Sequence, residues 1–391
     1  DSVYSRLNAE EKYNSVIKAF TTFFRLQSKI HPTIIFLDDA QWIDKNSKDF
    51  IVKLLQEVSD STLIIFFALR PDGIDKPKEF LNIQRLARPV AILEIDLDPL
   101  NTSGIIALTS EMLGGQLSQE SVELLQQTSN GNPFYIEQLI EYYRSNKLLS
   151  AENDTWKVQE GDIKLNNNIN SLLIAKVDNL STYAKEMLKA AAVIGREFEY
   201  SVLEEVLKNK TLFEDHETFD NLKSSLREAE NNNIIRNTGK GRYIFKHSMQ
   251  HEVIYEMQLH TRLKALHEVI ADSIERIFQS RLQQRFVDLV FHYERAEITE
   301  KTKEYLLKSG DFFKDNFQNN QAYQYYKRLL DIVINDEDYA AHFKALIRIG
   351  EILQIIGKWD DAGETYGEAL RLSKKLSSKT LMGRANNSLG Y

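Results

Sequence analysis

The sequence has no cysteine among its 391 residues. That absence excludes a disulfide-stapled scaffold, a Cys-ligated zinc site and a thiol nucleophile together, and it accords with a reducing compartment. Proline is scarce and unevenly spread: the six stand at positions 32, 71, 77, 89, 99 and 133, and the 258 residues after Pro133 hold none. Glycine is also scarce, at 16 residues. No apolar run approaches the roughly 20 residues that span a bilayer, and the opening Asp-Ser-Val-Tyr-Ser-Arg-Leu-Asn is polar and unlike a signal peptide. A cytoplasmic chain without membrane contact is expected. A basic excess is missing too: 49 Lys+Arg face 57 Asp+Glu, for a net charge of -8, which argues against a dedicated nucleic-acid binder. What is present is 42% hydrophobic residues, enough for ordinary packed cores, and a length that suits two to four domains.

The proline asymmetry divides the chain. Glu11 to Lys29 carries apolar residues at helical spacing. Beyond Pro32, Thr33–Leu37 and Leu63–Leu69 are short apolar runs that suit strands buried on both faces of a parallel sheet, with a helix from Asn46 to Val58 between them. Val90–Leu97 reads as a third such strand. From about 100 to 147 the pattern is helical, with Asn101 or Thr102 capping one helix and Ser118 another. Residues 148–168 are polar and irregular, which suggests a boundary. Helices over 170–180, 182–193, 200–207 and 220–230 precede two short runs, Ile234–Asn237 and Tyr243–Lys246, joined by a glycine-rich turn as in a β-hairpin. Helices followed by a hairpin are the layout of a winged helix. In the tail, Gly310, Gly350 and Gly390 recur every 40 residues. Around the second, Ile349, Leu353, Gly357, Ala362, Tyr366 and Ala369 stand where small residues let two antiparallel helices cross and large ones fill the groove. This pattern resembles the tetratricopeptide repeat, and it implies a surface for a protein partner.

The strongest local signal is Thr33-Ile-Ile-Phe-Leu-Asp38-Asp39-Ala-Gln-Trp-Ile-Asp44. Acidic residues at the carboxyl end of a buried parallel strand stand where ligands bind in open α/β sheets; a solvated turn after an ordinary strand is the plainer reading. The two carboxylates are adjacent, so on a strand they point to opposite faces and do not make a shared-proton dyad. His247 and His251, four apart, lack an evident third metal ligand. The helix 220–230 carries Lys223 and Arg227 against Asp220, Glu228 and Glu230, too little positive charge for a major-groove helix.

Taken whole, the string resembles the Walker B segment of the STAND class of AAA-related regulatory ATPases. The resemblance continues in order. Leu63 to Arg70 is similar to the next strand, and Leu97-Asp98-Pro99-Leu100 to the segment that leads into the helical lid. Ser129-Asn-Gly-Asn-Pro-Phe134 resembles the family's Gly-Asn-Pro-Phe motif, Leu188 to Phe198 its winged-helix portion, and Tyr243-Ile-Phe-Lys-His247 its Phe-Arg/Lys-His segment. The resemblance implies an α/β fold followed by mainly α structure: a partial P-loop NTPase parallel sheet over residues 1–99, a helical lid over 100–150, a winged helix over 165–256, connecting helices over 257–300 and an incomplete tetratricopeptide-like α-solenoid over 301–391. It implies ATP/ADP and Mg as cofactors. Asp38 would hold Mg through water, Asp39 would orient or deprotonate the attacking water, and Arg70 and His247 would sense the γ- and β-phosphates. Asn132 and Pro133 would lie at the nucleotide. By their residues alone, a surface Arg before a turn, a proline in a first helical turn and a structural His are equally open.

One departure stands out. No Gly-x4-Gly-Lys-Ser/Thr occurs, and the nearest string, Thr238-Gly-Lys-Gly-Arg242, falls in the expected hairpin turn without the strand and helix that a phosphate loop requires. The sequence therefore reads as a fragment opened after its P-loop, without ATPase activity of its own; the competing reading is a module that never had the loop. With the loop would go the strand that family topology places between the second and third strands here, leaving a gap or an exposed edge. The expected function is the regulatory core of a signalling ATPase switch, with a nucleotide-dependent oligomer as a further expectation. The alternatives are a non-catalytic interaction scaffold and the regulatory half of a class III adenylate cyclase.

Overall fold

The computed structural model describes residues 9–38, 40, 43, 45–57, 62–69, 91–152, 155–159, 169–213, 219–334 and 338–390. The fold is mostly helical with small sheets, and it divides into two compact units. One comprises 1–96, 311–324 and 352–358; the other comprises 97–310, 325–351 and 359–391. No helix among the described residues is long and apolar enough to cross a membrane.

In the first unit, α1 (Ala9–Ile30) leads to β1 (Thr33–Leu37), α2 (Lys45–Glu57) and β2 (Leu63–Phe67). The strands pair in parallel, with Thr33 opposite Leu63 and Leu37 opposite Phe67. Leu37, Ile65 and Phe67 pack with Ile51 and Leu55 of α2, and Phe20 and Phe24 of α1 reach Phe50 of α2 at 6.1 Å between ring centres. Burial on both strand faces is corrected. Ile34, Phe36, Ile64 and Phe66 alternate with the inward residues and are 47–65% exposed, because α2 covers one side only. The expected third strand is corrected as well. Residues 91–97 carry no strand pairing, and Leu93 and Leu97 are 82% and 92% exposed. An apolar run becomes a strand only where a neighbour takes its N–H and C=O groups, and none is present for this run among the described residues.

The second unit opens with α3 (Thr102–Leu113), β3 (Gln116–Leu117), α4 (Gln119–Ser129) and α5 (Pro133–Ser145). Asn101 caps α3 by accepting from the Gly104 N–H, and Ser118 caps α4. Ile105, Leu125, Ile136, Leu139 and Tyr143 form their core. The stretch expected to be an irregular boundary instead begins with an antiparallel pair, β4 (Leu149–Glu152) and β5 (Thr155–Val158). Serine side chains anchor that pair: the Val158 N–H donates to Ser121 Oγ at 3.0 Å.

Next come α6 (Ile169–Asp178), α7 (Thr182–Ile194), β6 (Glu197–Glu199), α8 (Tyr200–Leu207), α9 (Phe219–Asn231), β7 (Ile235–Gly239), β8 (Arg242–Phe245), α10 (Ser248–Glu256), α11 (His260–Ile277) and α12 (Phe286–Arg295). Ser181 caps α7, and Glu228 of α9 accepts from both the N–H and the hydroxyl of Ser181. Helix α7 is buried nearly all round. Its Ala190-Ala191-Ala192 run removes bulk so that neighbours approach closely, while Met187 and Leu188 fill the space at about 2 kcal/mol of burial each. The three strands form an antiparallel sheet in the order β6-β8-β7. The Gly-Lys-Gly string is the hairpin turn, with φ of 92°, 53° and 73° at Gly239, Lys240 and Gly241.

Helical hairpins follow along the chain: α13 (Thr299–Asp315), α14 (Asn319–Val333), α15 (Tyr339–Ile355), α16 (Trp359–Lys375) and α17 (Lys379–Leu389), of which 311–324 and 352–358 belong to the first unit. Gly310 faces the Tyr326 ring and Gly350 faces the Tyr366 ring, one repeated contact at the 40-residue period read from the sequence. A single apolar core runs from Val177 through Phe198, Phe245, Ile270 and Leu289 to Leu329 and Ala345.

Candidate functional site

The sequence-derived positions fall into two groups, one in each unit. In the first unit, Asp38 lies exposed at the carboxyl end of β1. The strand ends are tied there, with the Ala68 N–H donating to Leu37 O and the Ala40 N–H to Ala68 O at 2.9 and 2.8 Å. Asp39 and Arg70 lie outside the described residues.

The second group is built around the turn before α5. Asn130 and Gly131 take left-handed conformations, φ 49° and 74°, which end α4 and swing the chain into α5. The Leu100 N–H donates to Gly131 O at 2.8 Å, so the Leu-Asp-Pro-Leu segment docks directly on the Gly-Asn-Pro-Phe turn. The approach is close: a Cβ at Gly131 would lie 2.4 Å from Leu100 O. Asn132 is the N-cap of α5, its side-chain oxygen accepting from the Tyr135 N–H at 3.1 Å. Pro133 takes the first helical position, where its fixed φ suits the helix and its missing N–H costs nothing. Phe134, next in the turn, puts its ring 4.3 Å from the imidazole of His247.

His247 is the N-cap residue of α10 and makes no capping bond with its side chain. Burial holds its pKa below the ordinary histidine value, and the positive charges of Lys246 and Lys176 push the same way. The negative charge of Glu141 pushes the other way, and the ring stays less basic than a free histidine. A polar network ties the two sides together. Lys176 of α6 binds Gln138 and Glu141 of α5 at 3.1 and 2.6 Å, and Glu141 accepts from Asn233 Nδ2 at 3.3 Å. Lys246 reaches Asn233 Oδ1 at 3.4 Å. The Lys176–Glu141 pair is mostly shielded, with side chains 18% and 32% exposed, and contributes about 1 kcal/mol. His251, one turn along α10, places Nε2 2.8 Å from the Ala192 carbonyl.

The structure thus brings Asn132, Pro133 and His247 into one neighbourhood, with Phe134 as the contact between them. Phe134 stands in the Gly-Asn-Pro-Phe motif, which by itself gives no sign of its contact with His247. Lys176 and Glu141 had no sequence signal: an ordinary Lys and Glu 35 residues apart become partners only through packing.

The docking makes a sharp prediction. Gly131→Ala is expected to destabilise the α3–α5 region by about 2 kcal/mol or more, since the new Cβ meets backbone and the residue stays left-handed. Gly104→Ala, inside α3 with its nearest contact a flexible Leu100 methyl at 3.1 Å, should be near neutral. Urea unfolding with hydrogen exchange at the Leu100 amide measures both.

No family model matches the chain. An uncharacterized protein of Rhizobium meliloti (strain 1021) is 23% identical over 357 residues, which is 88% of this chain and 33% of that protein. The chain thus spans about one third of that relative's length. Among solved structures, a crystal structure of a Signal Transduction ATPase with Numerous Domains (STAND) protein with a tetratricopeptide repeat sensor from Pyrococcus horikoshii matches at a TM-score of 0.38 and 15% identity. That match covers 96% of this chain and 67% of the other.

Proposed function

We propose that these residues are the regulatory core of a STAND-type ATPase, a nucleotide-dependent switch in which helical repeats sense a protein partner. The observation that carries this reading is the meeting of three separate motif segments, Pro99–Leu100, Gly131–Phe134 and His247, at one turn. In this reading 1–99 is the partial nucleotide-binding α/β domain, 100–150 its lid, 165–256 the winged helix, 257–300 connecting helices and 301–391 the repeats.

The residues suit the rim of a nucleotide site and not its centre. Asp38 is an exposed carboxylate at a strand end, the donor type for water-mediated Mg. His247 is a partly buried ring that burial makes less basic than a free histidine, with Lys246, Lys176 and Glu141 near it. Among the described residues the one Gly-Lys-Gly string is a hairpin turn and not a phosphate cradle. When bound, MgATP supplies a γ-phosphate whose loss separates two states. Asp38 would hold the metal's water, Asp39 would position the attacking water, Arg70 would report the γ-phosphate, and Asn132 and Pro133 would set the turn beside the base. His247 would hold the lid side to the hairpin side through Phe134. A ligand shifts such a switch only by its difference in affinity for the two states.

Residues 1–391 are expected to show no ATP turnover. The same residues in a longer chain that supplies a phosphate loop should bind ATP with Mg, and Asp38→Ala should remove the metal dependence. Turnover by residues 1–391, or a loop-bearing chain without nucleotide binding by calorimetry, overturns the proposal. Asn132 favours a second reading, an interaction scaffold, because its side-chain oxygen is already engaged as a cap. Partner capture that is equal with and without nucleotide, in both the wild type and Asp39→Asn, selects the scaffold.

A further inference from the structure

His247 lies in sequence between Lys246 and Gln250, and one residue of a distant turn holds both. Asn233 sits between α9 and β7 at φ 54°, a left-handed conformation that asparagine adopts more readily than most residues. Its Oδ1 accepts from Lys246 Nζ at 3.4 Å, on one side of His247. Its backbone oxygen accepts from Gln250 Nε2 at 3.3 Å, on the other side. Its Nδ2 donates to Glu141 of α5 at 3.3 Å, the helix whose first turn holds Phe134. These bonds are long, but the turn beneath them is firm. The Asn233 N–H donates to Glu230 O and the Lys246 N–H to Ile234 O, both at 2.9 Å. Gln250 is 2% exposed, so its amide has little freedom to leave.

Asparagine suits this point because the position uses a donor and an acceptor on one side chain. Aspartate would keep the acceptor for Lys246 but set a second carboxylate against Glu141. Glycine would keep the left-handed turn and lose both side-chain bonds. Glu141 is itself steadied by Lys176 at 2.6 Å. A path therefore runs from α6 through Glu141 and Asn233 to both sides of His247. The His247 side chain makes no capping bond of its own and meets the Phe134 ring at 4.3 Å between centres, so the ring takes its direction from the backbone on either side.

We propose that Asn233 is a positioning residue: by tying Lys246 and Gln250 to α5 it aims the His247 ring at Phe134, and so sets how firmly the lid is held. The inference rests on the switch reading above, in which His247 joins the lid side to the hairpin side.

The test follows the His247 ring by NMR in residues 1–391 without nucleotide. In the wild type the Phe134 ring current shifts the His247 Cε1 proton. Burial, with Lys246, Lys176 and Arg196 set against Glu141, keeps the ring less basic than a free histidine. Asn233→Gly is expected to lose most of the ring-current shift and to move the His247 titration up toward the ordinary value of about 6.5. His251, held at the Ala192 carbonyl at 2.8 Å, should keep its signal and so reports any general loosening. Asn233→Asp should also lose the shift, through repulsion of Glu141. Adding Glu141→Gln to it exchanges donor and acceptor across the same bond and should restore the shift. In a loop-bearing chain that binds nucleotide, Asn233→Gly should speed release severalfold. An unchanged His247 signal in Asn233→Gly, an equal change at His251, no recovery in the exchanged pair, or unchanged release overturns the role of Asn233. A loop-bearing chain that binds no nucleotide overturns the switch reading instead.

Discussion

Gly350→Ala is expected to destabilise the helical hairpins by about 2 kcal/mol, whereas the same change at Gly363 or Gly367, in the helix that Gly350 packs against, stabilises them. A Cβ at position 350 would fall 2.3, 2.6 and 2.7 Å from three atoms of the Tyr366 ring. That ring is 1% exposed, so it has no free space to move into. Alanine gains up to about 1 kcal/mol over glycine in a helix, but overpacking a filled core costs about 1–3 kcal/mol, and a contact this short lies at the upper end. Nothing lies within 4 Å of a Cβ at Gly363 or Gly367, so only the propensity gain remains there. Gly310→Ala should repeat the loss, because its Cβ would lie 2.3 Å from the Tyr326 ring. Combining Gly350→Ala with Tyr366→Leu should recover part of the deficit. Amide exchange along α15 and α16 reads each change locally, and equal effects at Gly350 and Gly363 would refute the packing argument.

The second large effect is on pH. Burial pushes His267 down to about 4, helped by the charge of Arg295. It pushes His292 down to about 3, with His267 and Arg295 acting in the same sense. In the unfolded chain both rings return to about 6.5. Between that value and the folded ones the unfolded chain binds protons that the folded chain refuses. The stabilisation from this pair is therefore complete above pH 6.5, falls as pH drops toward 4 and then 3, and changes no further below. Glu275, lowered despite its burial by Tyr305 and Lys301, adds a loss of the same sign at lower pH, while the raised Asp288 opposes it. Because the rings share a proton site they titrate as a pair, and the loss is at most on the order of 8 kcal/mol for the two. Unfolding midpoints from pH 8 to 4.5 should fall steeply. His267→Phe with His292→Phe should start lower and show a flatter slope; an unchanged slope would remove these rings as the cause.

What the sequence made legible follows from how local each feature is. The helix Tyr200–Leu207 has the bounds its sequence predicts, and Ser118 and Asn101 act as the caps they resemble, since a cap and the N–H group it accepts from lie within three residues. The repeat contact was legible for the same reason. The sheets were harder. Val90–Leu97 has the composition of β1, but composition does not show whether a neighbouring strand is there. Leu149–Glu152 and Thr155–Val158 looked irregular because Ser150, Glu152 and Lys157 break their apolar character, and what fixes them is the distant Ser121. The three residues of β6 are too few for any period. In the candidate site, the order of motifs pointed to Asn132, Pro133 and His247, but not to the contact of His247 with Phe134. Asn132 is also the residue type that either a cap or a ligand-contacting turn would use.

The glycine–tyrosine contact has a consequence in time as well as in strength. In both hairpins the partners are 16 residues apart, Gly310 to Tyr326 and Gly350 to Tyr366, whereas β6 must wait for β8, with Glu197 paired to Ile244. Short-range contacts close quickly and long-range ones slowly, and chains fold from the N-terminus as they are synthesised. Each hairpin can therefore lock as soon as its second helix emerges, giving the growing chain a series of small completed steps rather than one late collapse.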